Sequence, residues 1–222
     1  MCDIHERRVV LFDFDGTLAN TKDAIIQTAT RALLRHGIAR DELGDVSRLI
    51  GPPFPQAFSQ VYGLSAEEAD AVTSDYRSMY ATLGLEAWPL FDGIAQLLQD
   101  LRSQGKTVCV ATSKLQSVLD RALADEGIRD VLHLAQGKPS DKPFTKEQTI
   151  ALVLAHAGAT ADEAVMVGDR HHDVEGAAAC GVPCVGVTYG GTGDYAELSA
   201  AGACRVVDTV GQLAEVLLGK GN

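Results

Sequence analysis

Six short apolar runs recur along the chain, at residues 9–12, 107–111, 131–135, 164–167, 184–187 and 204–207. Each has the length of a buried strand, and helical periods separate the later ones. Alternation of this kind predicts a parallel sheet with helices on both faces, an α/β fold. Residues 13–106 interrupt the rhythm: they carry no strand signal, only helix-like periods near 21–36, 54–61, 65–82 and 93–104. Most of that stretch is too long for a crossover and predicts an inserted helical domain. The expected division is a core of residues 1–18 and 86–222 around an insertion of residues 19–85, with the helix near 93–104 leading into the second strand. Capping-box spacings mark four element starts: Ser65…Glu68, Thr145…Gln148, Thr160…Glu163 and Thr209…Gln212.

Composition narrows the classes of function. With 46% hydrophobic and 22% charged residues and no biased tract, 222 residues can bury a sizeable core. A net charge of −11 argues against sequence-independent nucleic-acid binding, which needs a basic surface. It also provides no general attraction for anions, so any phosphate site must be built locally from N–H groups, a lysine and a metal. No run of 18 apolar residues appears, and Met1-Cys2-Asp3-Ile4-His5-Glu6 has no signal-peptide pattern. The expectation is a cytoplasmic protein with no membrane partner. The five cysteines make no zinc spacing: Cys180 and Cys184 have no second pair, and Cys109 and Cys204, in apolar runs, are expected as small core residues.

The first apolar run carries the chemistry. Val9 to Phe12 leads directly into Asp13-Phe14-Asp15-Gly16-Thr17-Leu18. Residues two apart on a strand point the same way, so Asp13 and Asp15 are expected on one face where the strand ends. Two carboxylates that close repel, and a proton or a cation must relieve them. Gly16 allows the sharp turn that exposes them, while Thr17 supplies a hydroxyl and an N–H. The layout points to phosphoryl transfer through an aspartyl-phosphate, with a divalent cation.

These residues resemble motif I of the haloacid dehalogenase-like hydrolases, in the phosphoglycolate phosphatase-like branch. The resemblance implies that Asp13 attacks phosphorus and Asp15 acts as acid and base. Dehalogenase members lack the second aspartate, so Asp15 favours phosphoester chemistry. It also implies a Rossmann-like core with a small α-helical cap domain inserted after motif I.

Ligands of open α/β sheets bind outside the carboxyl ends of strands, and three more strand ends fit. The second run ends in Ala111-Thr112-Ser113-Lys114, read as a hydroxyl and N–H cluster at a helix start, or equally as a plain helix cap. It is similar to motif II, which implies phosphate binding by Thr112, with Ser113 standing where many relatives carry asparagine. A lysine must neutralise nucleophile and phosphate together, and Lys138, Lys142 and Lys146 all precede the next helix. Lys146 follows the N-cap Thr145, where a cation opposes the helix dipole and a structural purpose is less obvious. Thr145 to Ile150 also resembles the form of motif III without proline, so Lys146 is the choice and Lys142 the second. Lys138 and Lys142 are expected as solvated loop charges. The fourth run ends in Gly168-Asp169-Arg170-His171-His172-Asp173, where Asp169 suits a hard cation and Asp173 lies four residues on. Resemblance to motif IV implies magnesium held directly by Asp13 and Asp169, with the Asp15 carbonyl, and Asp173 as a ligand through water or a partner of the ligands.

His171 and His172, adjacent on a helix, are expected to point apart and not to chelate one ion. In the insertion, residues 50–54 form a stiff turn, and Arg77 is a candidate for a carboxylate or second anionic group, or for a surface salt bridge. Lys22 and Lys114 are equally open. The reading implied is a Mg2+-dependent phosphatase of small phosphorylated metabolites, monomer or homodimer. A phosphomutase and a nucleotidase or pyrophosphatase are the alternatives.

Overall fold

In a computed structural model, residues 3–50, 52, 54–140 and 144–219 are described. Six strands form one parallel sheet in the order β3-β2-β1-β4-β5-β6. They are β1 (Val9–Phe12), β2 (Thr107–Leu115), β3 (Leu134–Lys138), β4 (Ala164–Gly168), β5 (Cys184–Val187) and β6 (Arg205–Val207). Nine helices are described: α1 (Lys22–Arg35), α2 (Gln56–Tyr62), α3 (Ala66–Tyr80), α4 (Ile94–Ser103), α5 (Gln116–Asp125), α6 (Lys146–Ala157), α7 (His171–Ala179), α8 (Tyr195–Ala200) and α9 (Val210–Leu218). This is the doubly wound order, and strand direction reverses its progress between β1 and β4.

Strand periodicity sorts the core into two faces. Val9 and Leu11, Cys109 and Ala111, and Ala164 and Met166 pack with Ile150 and Val153 of α6 and Val174 and Ala177 of α7. A one-residue slip would turn each of these away, so the buried faces fix the register. Helix α4 contributes Ile94, Leu97, Leu98 and Leu101, all buried, and meets β2 and α9.

The chain divides into two compact units, residues 1–20 with 89–222 and residues 21–88. Ala19 and Asn20 stay with the sheet because Ala19 bridges Leu90 and the Asn20 N–H donates to the Pro89 carbonyl. Helices α1 to α3 form the other unit around a run of aromatic contacts, Phe58 and Phe54 to Tyr76, Tyr76 to Tyr80 and Tyr80 to Trp88. Such pairs contribute ~0.5–1.5 kcal/mol each beyond their buried area.

Several local expectations are corrected. β2 runs on to Leu115 through an irregularity after Ala111, so α5 starts only at Gln116 and Thr112 does not lie at a helix N-terminus. Residues 129–131 make a 3₁₀ turn, moving β3 to Leu134–Lys138. Lys138 is buried at the end of that strand, not solvated. Cys204 is exposed, whereas Cys109 is buried as expected. The Ser65 and Thr145 boxes close. At Thr160 only half forms, the Glu163 carboxylate accepting from the Thr160 N–H and hydroxyl, and Gln212 accepts from the Asp208 N–H while its own N–H donates to Thr209. Among the described residues no helix is long and apolar enough to cross a membrane.

Candidate active site

The carboxyl ends of β1 and β4 lie side by side, since Phe12 registers with Val167. Asp13 follows β1, and its N–H donates to the Val167 carbonyl at 2.9 Å. Asp169 follows β4, and Asp173 sits on the first turn of α7. One carboxylate oxygen from each of Asp13, Asp169 and Asp173 lies within 4.8 Å of the other two, and all three residues are buried. Gly168 makes the approach of Asp173 possible, because a β-carbon there would run into the Asp173 side chain. Gly16, at φ +79°, does the same for Asp169.

One ammonium group answers this cluster. Lys146 begins α6, and its Nζ lies 2.7 Å from Asp13 Oδ1 and 2.7 Å from Asp173 Oδ1, with the Ala111 carbonyl at 3.2 Å. Its aliphatic stem runs over Gly176 of α7, where a β-carbon would come within 2.8 Å. The sequence position that opposes the helix dipole is thus used to bring a buried cation to two carboxylates. Burial alone would lower the Lys146 pKa, but Asp13 and Asp173 outweigh it and hold the ammonium charged.

The carboxylates respond in the opposite sense. Burial, then repulsion from Asp173 and Asp15, pushes Asp13 up to about 6 against the pull of Lys146. Burial and repulsion from Asp173 and Asp13 hold Asp169 well above the usual carboxylate range, opposed by hydroxyls of Thr192 and Thr17. A buried, oxygen-only donor set with too little positive charge fits a hard divalent cation. The residues that would hold it are Asp13, Asp169 and Asp173. The Asp15 side chain is outside that group.

Asp15 is half-buried, and its Oδ1 accepts from Lys114 Nζ at 2.7 Å. Thr17 is fully buried, and its hydroxyl donates to Asp169 Oδ1 at 3.1 Å. Thr112 is buried and its Oγ1 accepts from the Lys114 N–H, while Ser113 is exposed. Arg77 and Lys22 belong to the helical unit, on α3 and α1. Lys142, and Gly51 and Pro53 of the stiff turn, lie outside the described residues.

Lys114, left open by the sequence, is fixed on Asp15, and further side chains emerge only in three dimensions. After β5, Tyr189-Gly190-Gly191-Thr192-Gly193 crosses the site: the Tyr189 hydroxyl donates to the Thr17 carbonyl at 2.7 Å, and Thr192 donates to Asp169 Oδ2. A β-carbon on Gly190 would strike the Gly16 carbonyl, and one on Gly193 the Asp169 carbonyl. The available signal is a glycine-rich turn at a strand's carboxyl end. Beside it, Glu197 Oε1 accepts from Arg170 Nε at 2.8 Å and from the His171 N–H at 2.9 Å.

Residues 10–187 match the family model described as haloacid dehalogenase-like hydrolase. The chain is 39% identical over 183 residues to a 5′-nucleotidase of Pseudomonas aeruginosa, covering 82% of each protein. It is 35% identical over 213 residues to the tyrosine-protein kinase PtkA of Mycobacterium tuberculosis, covering 95% of this chain and 72% of that one. A crystal structure from Clostridium acetobutylicum, described as a predicted phosphatase, superposes with a TM-score of 0.89 at 32% identity, covering 96% of this chain and 99% of that one.

Proposed function

The chain belongs to the haloacid dehalogenase-like hydrolase family and is a phosphoric ester hydrolase; on that premise we propose a magnesium-dependent phosphatase of small phosphate monoesters, phosphoglycolate phosphatase-like, acting through an aspartyl-phosphate on Asp13. The observation that carries this reading is Asp13 Oδ1 fixed by Lys146 inside a buried acidic cluster at the switch point of the sheet. Asp13 attacks phosphorus in line, forming one O–P bond as the ester O–P bond breaks. Asp15, partly open to solvent, donates its proton to the leaving oxygen. Water then attacks the aspartyl-phosphate, and Asp15 takes up the proton that water loses. Lys146 and Thr112 hold phosphoryl oxygens, so that positioning and charge govern the rate. The Gly16 and Thr17 N–H groups, candidates for the same part, instead donate to the Ala19 and Phe14 carbonyls and shape the turn. Mg2+, when bound by Asp13, Asp169 and Asp173, supplies charge neutralisation for nucleophile and phosphate together.

Arg77 stays a candidate for an anionic group of the substrate, and Thr21–Trp88 is assigned the part of the cap. The 39% identity to a protein named 5′-nucleotidase sets nucleoside monophosphates beside phosphoglycolate as substrates to try. The test is phosphate release from a chromogenic ester with and without Mg2+, followed by a panel of phosphoglycolate, nucleoside monophosphates, sugar phosphates and pyrophosphate. Activity should require the metal. Turnover retained by Asp13→Asn contradicts the nucleophile assignment, and a sugar phosphate isomerised without phosphate release would make the chain a mutase.

A further inference from the structure

We propose that His171, His172 and Glu175 form a second metal site, for a borderline divalent ion such as Zn2+ or Ni2+, separate from the aspartate cluster. Adjacent positions on a helix ordinarily diverge, yet the two imidazole rings lie with centroids 3.8 Å apart. Glu197 of α8 fixes the first of these rings: its Oε1 stands 2.7 Å from His171 Nδ1 and also accepts from the His171 main-chain N–H. Glu175 is four residues beyond His171, on the same side of α7. One ligand atom from each of the three side chains lies within 4.8 Å of the other two.

Donor chemistry separates this site from the catalytic one. Two imidazoles and a carboxylate suit zinc, nickel or copper, whereas three carboxylates suit magnesium. Three protein ligands leave a fourth tetrahedral position to water. With bonds of about 2.0–2.1 Å, tetrahedral donors sit roughly 3.4 Å apart, so side-chain rotation is enough to close the site. With Nδ1 of His171 engaged by Glu197, its Nε2 becomes the ligating nitrogen, and the carboxylate behind the ring orients it and raises its basicity. Access also differs: Glu175 is exposed and both histidines are half-buried, while Asp13, Asp169 and Asp173 are buried.

The test is calorimetric titration of the untagged protein with Zn2+, in enough Mg2+ to occupy the aspartate cluster. One Zn2+ per chain is expected, with affinity lowered at least ~10-fold in Glu175→Gln and ~10–100-fold in His172→Asn, and unchanged in Asp13→Asn. Glu175 is an exposed surface position, so its variant keeps the test valid where a histidine variant folds poorly. Copper supplies a second readout, because nitrogen splittings in its electron paramagnetic resonance spectrum report imidazole ligation directly and should weaken in His172→Asn. The proposal is overturned if no stoichiometric Zn2+ binds, if Glu175→Gln and His172→Asn both bind like the parent, or if Asp13→Asn alone abolishes uptake.

Discussion

Two ion pairs of the same length stand at the end of β1, Lys146 with Asp13 and Lys114 with Asp15, each at 2.7 Å. Their surroundings differ. The Asp13 side chain is 12% exposed and Asp15 is 24% exposed, while the lysines are equally covered. Lys146 is divided between Asp13 and Asp173; Lys114 serves Asp15 and lies 5.4 Å from the centre of the Phe14 ring. A carboxylate locked against a shared buried ammonium keeps a fixed direction, as a nucleophile needs. One that reaches water can exchange a proton, as an acid and base must. Distance alone would have made the two pairs equivalent, and burial separates them.

The widest gap is expected in turnover. Asp13→Asn should lower kcat by ~10⁴-fold or more, since no other group can form the covalent bond. Asp15→Asn should lose roughly 10²–10⁴-fold on an alkyl phosphate and recover most of that on a nitrophenyl ester, whose leaving group needs no proton. Equal losses for both variants on both esters would erase the distinction. Stability should divide the lysines next. Lys146→Met leaves two buried carboxylates facing each other and should cost ~3–5 kcal/mol in urea unfolding without metal, whereas Lys114→Met should cost about 1 kcal/mol or less. Thr192→Val removes a hydroxyl bond to Asp169 and should cost ~1.5–3 kcal/mol by the same measurement. A Thr192→Val loss as small as that of Lys114→Met would mean that the loop after β5 does not support the buried side of the site.

The contrast between these regions also explains what was legible in the chain. The strands announced themselves because a buried parallel strand is an unbroken apolar run, and Val9–Phe12 and Cys184–Val187 lie where the runs do. Asp13, Asp169 and Lys146 could be read because each sits one or two steps past such a run or beside a capping box. The end of β2 could not: Thr112-Ser113-Lys114 has the composition of a helix cap, yet the strand passes through it and pairs with β3 again at Leu115. Lys114 gave no local sign of its partner, which is 99 residues away. Tyr189 to Gly193 carries no charged group at all. Its contribution is close backbone approach and two hydroxyls, of Tyr189 and Thr192, which composition does not reveal.

Glu197, as exposed as Asp15, sets a third carboxylate beside the pair, and pH is the lever that tests it. Burial would raise its carboxyl, but bonds from the His171 N–H, Arg170 and the His171 ring outweigh that and pull it from 4.5 down to about 2. A folded-state value below the unfolded one adds stability above the unfolded pKa and loses it as pH falls through the folded value. The wild type should therefore exceed Glu197→Gln in stability by about 1 kcal/mol at pH 6, a figure already reduced for solvent screening. That advantage should shrink from near pH 4.5 and vanish by about pH 2, read as the difference between urea midpoints of the two proteins. A pH-independent difference would mean that Glu197 acts through packing and not through its charge. Electrostatics would then separate Asp13 from Asp15 but contribute nothing at Glu197.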